Sequence, residues 1–316
     1  MTASGTHMTD EGAVRVPRRR RGILITVIAV LLALVIIGHR LVPNVRGMGS
    51  LLDTVTPFLG LGIPLLALAA ALRRAWPALA AAIVPTVAWV ALFGPAWLPG
   101  GGGPAQVRVV SQNLLADNAE PQATVDAVVD AGADLVALQE VSDGDRDTVA
   151  EHLGHRYPYQ VTESTVGLWS RFPIRDAAGV DTGLGWTRAL RAVVGTPNGD
   201  LTVYVVHLGS ARAGETAVRD RTVRALAGQL RRDTAQRVIA LGDFNTASTD
   251  RMITPLTDLL RDAQADAGTG PGFTWPSRLP LIRPDHVFYR GLTATSAGVL
   301  RTPASDHRAV TAGFRW

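Results

Sequence analysis

The chain has 316 residues, 47% of them apolar, with 31 basic and 27 acidic side chains and a net charge of +4. That length allows roughly two domains, and that apolar content is ample for a core. Cysteine is absent, which excludes a disulfide framework and a thiolate metal site and leaves the redox compartment unreadable.

The charge is unevenly placed. From Ala105 onward 22 arginines face 24 acidic residues, a net of −2, so the basic excess belongs to residues 1–104. A domain without cationic excess has little with which to steer a polyanion, and nucleic acid is not the expected partner.

Taken in order, residues 1–14 are polar and aperiodic and read as a disordered tail. Arg15 and Arg18 to Arg21 complete a basic segment, 1–22, and abut the first apolar run, Ile23 to Gly38. That run is short enough to suit a signal peptide, but Gly38-His39-Arg40 is no Ala-x-Ala cleavage site. Two more apolar runs follow, Thr54 to Leu72 and Ala75 to Leu98, with Trp76 and Trp97 near the ends of the second. Pro57, Pro64, Pro77 and Pro85 would break soluble helices but are tolerated in membrane ones. Three transmembrane helices within 23–98 are therefore expected. Arg18 to Arg21 and Arg73-Arg74 then share one face, which the positive-inside rule makes cytoplasmic. The expected location is the cell membrane, multi-pass, with everything after Leu98 extracytoplasmic. Residues 99–105, Pro-Gly-Gly-Gly-Gly-Pro-Ala, read as a linker spanning at most about 25 Å.

From Gln106 to Trp316 short strands alternate with amphipathic helices. Strands are expected at Val107 to Ser111, Leu135 to Leu138, Val166 to Trp169, Arg188 to Val194, Leu201 to Val206 and Val238 to Leu241. Asp285 to Tyr289 and Ala309 to Phe314 read as closing strands. Helices are expected at Pro121 to Ala131, from about Asp143 to His152 after a Ser142 cap, and from Gly214 to Arg232. No internal repeat is evident.

The chemistry gathers where strands stop. Gly242-Asp243-Phe244-Asn245 ends the strand Val238 to Leu241, and positions i and i+2 of extended chain share a face. Asp243 and Asn245 can thus enter one cleft, although an Asx turn is the bland reading. Asn113, Glu140, His207, Asp285 beside His286, and Asp306-His307 likewise sit at strand ends. Singly they read as a turn residue, a solvated charge, a core histidine, another turn and a local pair. As an ordered set they mark one cleft, since ligand sites in α/β proteins gather at strand ends.

The motifs Ser111-Gln112-Asn113, Leu138-Gln139-Glu140, Ser170-Arg171-Phe172-Pro173-Ile174, Val206-His207-Leu208, Gly242-Asp243-Phe244-Asn245, Arg283-Pro284-Asp285-His286-Val287 and Ser305-Asp306-His307 complete that set. Together they resemble the endonuclease/exonuclease/phosphatase (deoxyribonuclease I-like) superfamily over residues 105–316. The resemblance implies a four-layer α/β/β/α sandwich. It also implies Glu140 as the principal Mg²⁺ ligand with Asn113 beside it and Asp306 near the metal. By the same resemblance Asp243 aligns or deprotonates the attacking water and Asn245 holds a phosphate oxygen. His307 contacts the phosphate under the orientation of Asp285, and His207 is a candidate proton donor to the leaving oxygen. Chemistry agrees: phosphoester hydrolysis needs oxygen charge neutralised and water aligned in line. Oxygen donors without cysteine or a His-Glu-x-x-His run favour Mg²⁺ or Mn²⁺ over zinc. His39, His152 and His155 match no motif and are expected at the surface or an interface.

Three spans before an external catalytic domain resemble the VanJ-like membrane phosphatases associated with teichoplanin resistance, which implies undecaprenyl pyrophosphate, a phosphorylated lipid of the bilayer, as substrate. A short tether to the membrane raises the domain's effective concentration over such a substrate. A membrane-tethered nuclease or sphingomyelinase-like phosphodiesterase is the alternative, and a non-catalytic scaffold the third reading. The loop Gly183-Leu184-Gly185-Trp186 is either a lip that touches lipid or a hairpin that buries Trp186 in the core.

Overall fold

A computed structural model of the chain describes residues 22–212 and 214–316; the basic tail lies outside them except for Gly22. The helices and strands run α1 (Ile23–Gly38), α2 (Met48–Leu59), α3 (Gly62–Leu72), α4 (Trp76–Ala81), α5 (Ile83–Phe93), β1 (Val107–Asn113), α6 (Pro121–Asp130), β2 (Leu135–Gln139), α7 (Arg146–Gly154), β3 (Tyr159–Glu163), β4 (Val166–Ser170) and β5 (Ile174–Gly179). They continue β6 (Ala189–Thr196), β7 (Gly199–His207), α8 (Ala217–Arg232), β8 (Val238–Asp243), α9 (Thr254–Thr257), β9 (Arg261–Asp262), α10 (Ala263–Ala267), β10 (Asp285–Arg290), β11 (Thr293–Leu300) and β12 (Ala309–Arg315).

Contacts divide the chain into two units. Among the described residues the first holds Gly22–Gly38 and Thr56–Ala91. Ile25, Ala70, Ala75 and Ala78 are buried together there, and a Cβ on Gly22 would lie 2.8 Å from that of Ala75. Small residues at such contacts let apolar helices approach closely. Among the described residues two helices, Ile23–Leu41 and Trp76–Trp97, are long and apolar enough to cross a membrane. Val45–Leu59 and Gly62–Leu72, bent by 46° at their break, supply a third if they count as one span. Pro57 inside α2 withdraws a helix donor just before that break. By length and composition the three expected spans are thus two or three.

The second unit holds His39–Val55 and Leu92–Trp316. Its described strands form two six-stranded sheets, β11-β12-β1-β2-β4-β3 and β5-β6-β7-β8-β10-β9. Pairing is antiparallel except for β1 with β2 and β7 with β8. The inner faces meet through Val109, Leu135, Ala137 and Leu168 from one sheet and Leu190, Val203, Ile239 and Leu241 from the other. Outside the first sheet, Val125 and Val128 of α6 and Val149 and Leu153 of α7 cover Val110, Val136 and Leu138. Outside the second, Val223, Leu226 and Leu230 of α8 cover Tyr204, Val206 and Ala240. Strands buried on both faces read as continuous apolar runs, and four layers result.

Two segments differ from the sequence reading. Residues 39–55, expected with the membrane region, fold with the sandwich because their polar side chains find partners there; Asp53, 0% exposed, accepts from Arg251 Nε at 2.7 Å and Nη2 at 2.9 Å. The expected linker is not a free tether either. Gly100 N donates to Gly268 O at 3.2 Å and Gly102 N to Thr295 O at 2.8 Å, and a Cβ on Gly101 (φ +76°) would meet Thr295 O at 2.5 Å. Gly100 and Gly101 thus serve close backbone approach, while Gly102 and Gly103 supply positive φ, +136° and +89°, with open space around them.

Candidate active site

Register puts the polar strand ends together. Asp243 closes β8 opposite both His207, the last residue of β7, and Asp285, the first of β10. Asn113 closes β1 opposite Gln139, whose successor is Glu140, and His307 lies two residues before β12, the antiparallel partner of β1. β10 and β12 run opposite to their partners, so their starts and the other strands' ends share one edge of the sandwich.

Hydrogen bonds knit the group across both sheets. Asn113 Nδ2 donates to Glu140 Oε1 at 3.0 Å and to Asp243 Oδ2 at 3.1 Å. His207 Nε2 lies 3.5 Å from Glu140 Oε1 and 3.7 Å from Asp243 Oδ2. His307 Nδ1 is 2.8 Å from Asp285 Oδ2, which also accepts from Thr274 Oγ1 at 2.5 Å, while His307 Nε2 lies 4.0 Å from Asp243 Oδ2. Glu140 (φ 57°) and Asn245 (φ 50°) adopt the left-handed backbone that non-glycine residues avoid, a strain that concentrates at functional sites. Asn245 N donates to Asp243 Oδ1 at 2.8 Å, so the Asx turn exists and serves the site: one carboxylate oxygen holds the turn and the other faces the cleft. The two residues meet through this turn rather than along extended chain.

Burial and neighbours set the charges. Asp243 is pushed up to about 7, by burial first and by the Asp285 charge, although His307 pulls the other way. Burial favours a neutral His307, but the charge and hydrogen bond of Asp285, with Asp243 and Asp306 behind, raise it to about 10. His207 is driven well below its ordinary value by burial, then by Arg188 and His307. His207 is therefore a neutral ring able to give a hydrogen bond, and the ring that carries a proton at neutral pH is His307. The role expected of His207 at the leaving oxygen narrows to giving a hydrogen bond from a neutral ring.

The donors suit a hard divalent cation. Asp243, Asp285 and His307 each offer a ligand atom within 4.8 Å of one another. With His307 protonated and paired to Asp285, the oxygens left are those of Glu140 and Asp243, which both accept from the Asn113 amide nitrogen. Oxygen donors of this kind fit Mg²⁺ or Mn²⁺. Asn113 turns its Oδ1 to Leu115 N at 3.0 Å, so it joins the ligands only if its amide turns over. Asp306 accepts from Trp275 Nε1 at 3.0 Å, outside the group of three. Asn245 donates from Nδ2 to Leu208 O at 3.0 Å and to Asp243 Oδ2 at 3.3 Å.

Arg188 is the site residue that sequence reasoning misses. Its guanidinium lies against the His207 ring and 5.0 Å over the Trp186 ring; burial lowers its pKa, and the nearby charges of Glu140 and Asp243 oppose that shift only in part. Register explains its place: Ala189 pairs with Val206, so the residue before one meets the residue after the other. Trp186 is 50% exposed, which removes the core-hairpin reading. His39, expected at a surface or interface, is 7% exposed with Nδ1 2.8 Å from Asp53 Oδ1. His152, paired with Asp126 at 3.1 Å, stays near the surface as expected.

No curated protein matches the sequence. Among solved structures, D. rerio TDP2 complexed with single strand DNA product is similar at 17% identity and TM-score 0.58, over 66% of this chain and 99% of that one. The beta toxin of Staphylococcus aureus is similar at 14% identity and TM-score 0.51, over 66% and 99%. An endonuclease/exonuclease/phosphatase of Beutenbergia cavernae is similar at 18% identity and TM-score 0.53, over 67% and 72%. These likenesses show the fold. The family pattern itself matches residues 110–307, more than half the chain, and it takes in every strand end that meets at the cleft. This protein therefore belongs to the endonuclease/exonuclease/phosphatase family and is one of its metal-dependent phosphoester hydrolases.

Proposed function

We propose that this hydrolase acts on a phosphorylated lipid of the bilayer, a lipid pyrophosphate such as undecaprenyl pyrophosphate, at the outer face of the cell membrane. The observation that carries the reading is the place of residues 39–55. They fold as part of the catalytic unit, yet both their ends continue into apolar helices, α1 and the remainder of α2. An enzyme built into its anchor this way meets substrate in the plane of the membrane. The near-neutral sandwich supports the same reading, since binding a nucleic-acid backbone normally uses many cations.

In this reading His307, charged against Asp285, holds a phosphate oxygen, and Arg188 adds a second cation at the same centre. Asp243, poised near neutrality, takes the proton of the attacking water while its other oxygen stays fixed to Asn245 N. His207 offers an N–H to the departing oxygen. Mg²⁺, held by Glu140, would neutralise oxygen charge on the phosphate and lower the pKa of water. Glycopeptide resistance follows as a physiological proposal, through the supply of lipid carrier for wall synthesis.

The test is phosphate release from undecaprenyl pyrophosphate by the full chain in nanodiscs with Mg²⁺. Release by wild type but not by Asp243→Ala is expected; equal release by both overturns the assignment. The nuclease reading draws on the TDP2 neighbour, whose structure holds single strand DNA product. Nicking of plasmid by the same preparation, without lipid hydrolysis, would favour it.

A further inference from the structure

The segment 39–55 does more than connect. Arg219, 1% exposed, donates from Nη1 to Asp250 Oδ2 at 2.8 Å and from Nη2 to Ser50 Oγ at 3.1 Å. Ser50 Oγ donates in turn to Asp250 Oδ1 at 2.9 Å. Arg251 clasps Asp53 and also donates to the carbonyls of Val42, His39 and Gly49. A Cβ on Gly49 would lie 2.6 Å from the Arg251 guanidinium, and one on Gly47 would lie 2.5 Å from Thr216 Cγ2. These anchors sit on α8, on Thr216 just before it, or on the loop that leaves Asn245, and Arg219 Nη1 reaches the Asn245 carbonyl at 3.4 Å. The connector is thus pinned to the very loop that bears a site residue.

Between connector and loop lies a cleft of about 420 Å³, within the range of roughly 300–1,000 Å³ usual for small-molecule sites. Met48 and Leu51 form one wall, 64% and 59% exposed; Ala247 and Ile282 stand in the other, and Asn245 is the shared border with the catalytic centre. Large apolar side chains left open beside a charged centre mark a place for an apolar ligand. The wall that carries them joins two apolar helices, so the occupant with access is the chain of a membrane lipid.

We propose that this cleft is the hydrocarbon subsite of the enzyme: it receives the first stretch of the substrate's apolar chain while the phosphate lies at Asp243 and His307. The inference rests on the lipid-phosphate reading above and adds that the connector selects the chain.

The experiment uses the full chain in nanodiscs with soluble allylic pyrophosphates of five, ten and fifteen carbons, read as kcat/KM for phosphate release. Each methylene that enters the cleft is worth about fourfold, so the fifteen-carbon ester should exceed the five-carbon one by well over tenfold. Leu51→Glu and Met48→Glu each place a charge in the cleft, and circular dichroism beside wild type checks that each variant folds. They should lower the fifteen- to five-carbon ratio by about tenfold or more. Direct titration of a fifteen-carbon alkyl phosphonate should show the same loss of affinity. A ratio untouched by both substitutions, with wild-type hydrolysis intact, overturns the subsite and leaves the lipid reading standing. Failure of wild type to hydrolyse any of the esters overturns both.

Discussion

At the scale of residues, the centre works by forcing three ionisable groups away from their ordinary values. His307 keeps its proton to about 10 instead of 6.5, so its pairing with Asp285 stabilises the fold fully below pH 6.5 and is lost as pH rises through about 10. Asp243 is raised from 3.8 to about 7, so the folded state holds a proton that the unfolded chain has released. Stability therefore falls as pH climbs from about 4 to 7. These two slopes descend with pH, whereas His207, held neutral in the fold, adds stability as pH climbs to 6.5 and opposes Asp243 there. In chelator, the thermal midpoint of the full chain should therefore decline between pH 7 and 10. His307→Gln should remove that fall, and Asp243→Asn should make the midpoint climb more steeply than wild type between pH 4 and 6.5. A wild-type midpoint that climbs from pH 7 to 10, or the same profile in both variants, contradicts the charge assignment. Turnover has its own test: with Mg²⁺, Asp243→Asn should cost about 10²–10⁴ in kcat, the usual weight of a general base.

At the scale of elements, the site depends on how β7, β8 and β10 end in register. Gly242 has φ +141°, and a Cβ there would stand 2.0 Å from Val206 O on β7. Gly242→Ala should therefore part the two strands where they present His207 and Asp243. A loss of about 3 kcal/mol is expected, seen as a lower denaturant midpoint together with reduced turnover. A midpoint within experimental error of wild type would falsify the close approach. Register also explains what could be read beforehand. Asn113, Glu140, His207, Asp243, Asp285 and His307 were legible because each ends or begins an apolar run, and the runs themselves show where strands lie. The strands β3, β5, β9 and β11 were not, since β5 is largely exposed, β9 has two residues and β11 mixes small and polar side chains. Arg188 was hidden for another reason: its meaning comes from the partner strand, not from its neighbours in sequence.

At the scale of the whole chain, the sequence reading divides membrane region, linker and enzyme at glycine and proline, and the contacts divide them elsewhere. Asp53 and Arg251 are 198 positions apart, and no local pattern announces a pair at that separation. Composition marks residues 39–55 only as a polar interruption between apolar runs. A catalytic piece cut at Gln106 would leave Arg251 and the Arg219–Asp250 pair without Asp53 and Ser50. In full-length Asp53→Ala, removing one partner of a buried ion pair costs about 3–5 kcal/mol, here concentrated on the loop beyond Asn245. Hydrogen exchange reads this directly, because the Arg251 amide donates to Asp53 Oδ2 at 2.9 Å. In the full chain that amide should be strongly protected; in residues 106–316, and in full-length Asp53→Ala, it should exchange at least tenfold faster. The amides inside β8, held by β7 and β10, should keep their protection in every form. Equal protection of the Arg251 amide in all three proteins would mean that the loop holds its shape unaided, and the connector would then be a passenger on the enzyme rather than a wall of it.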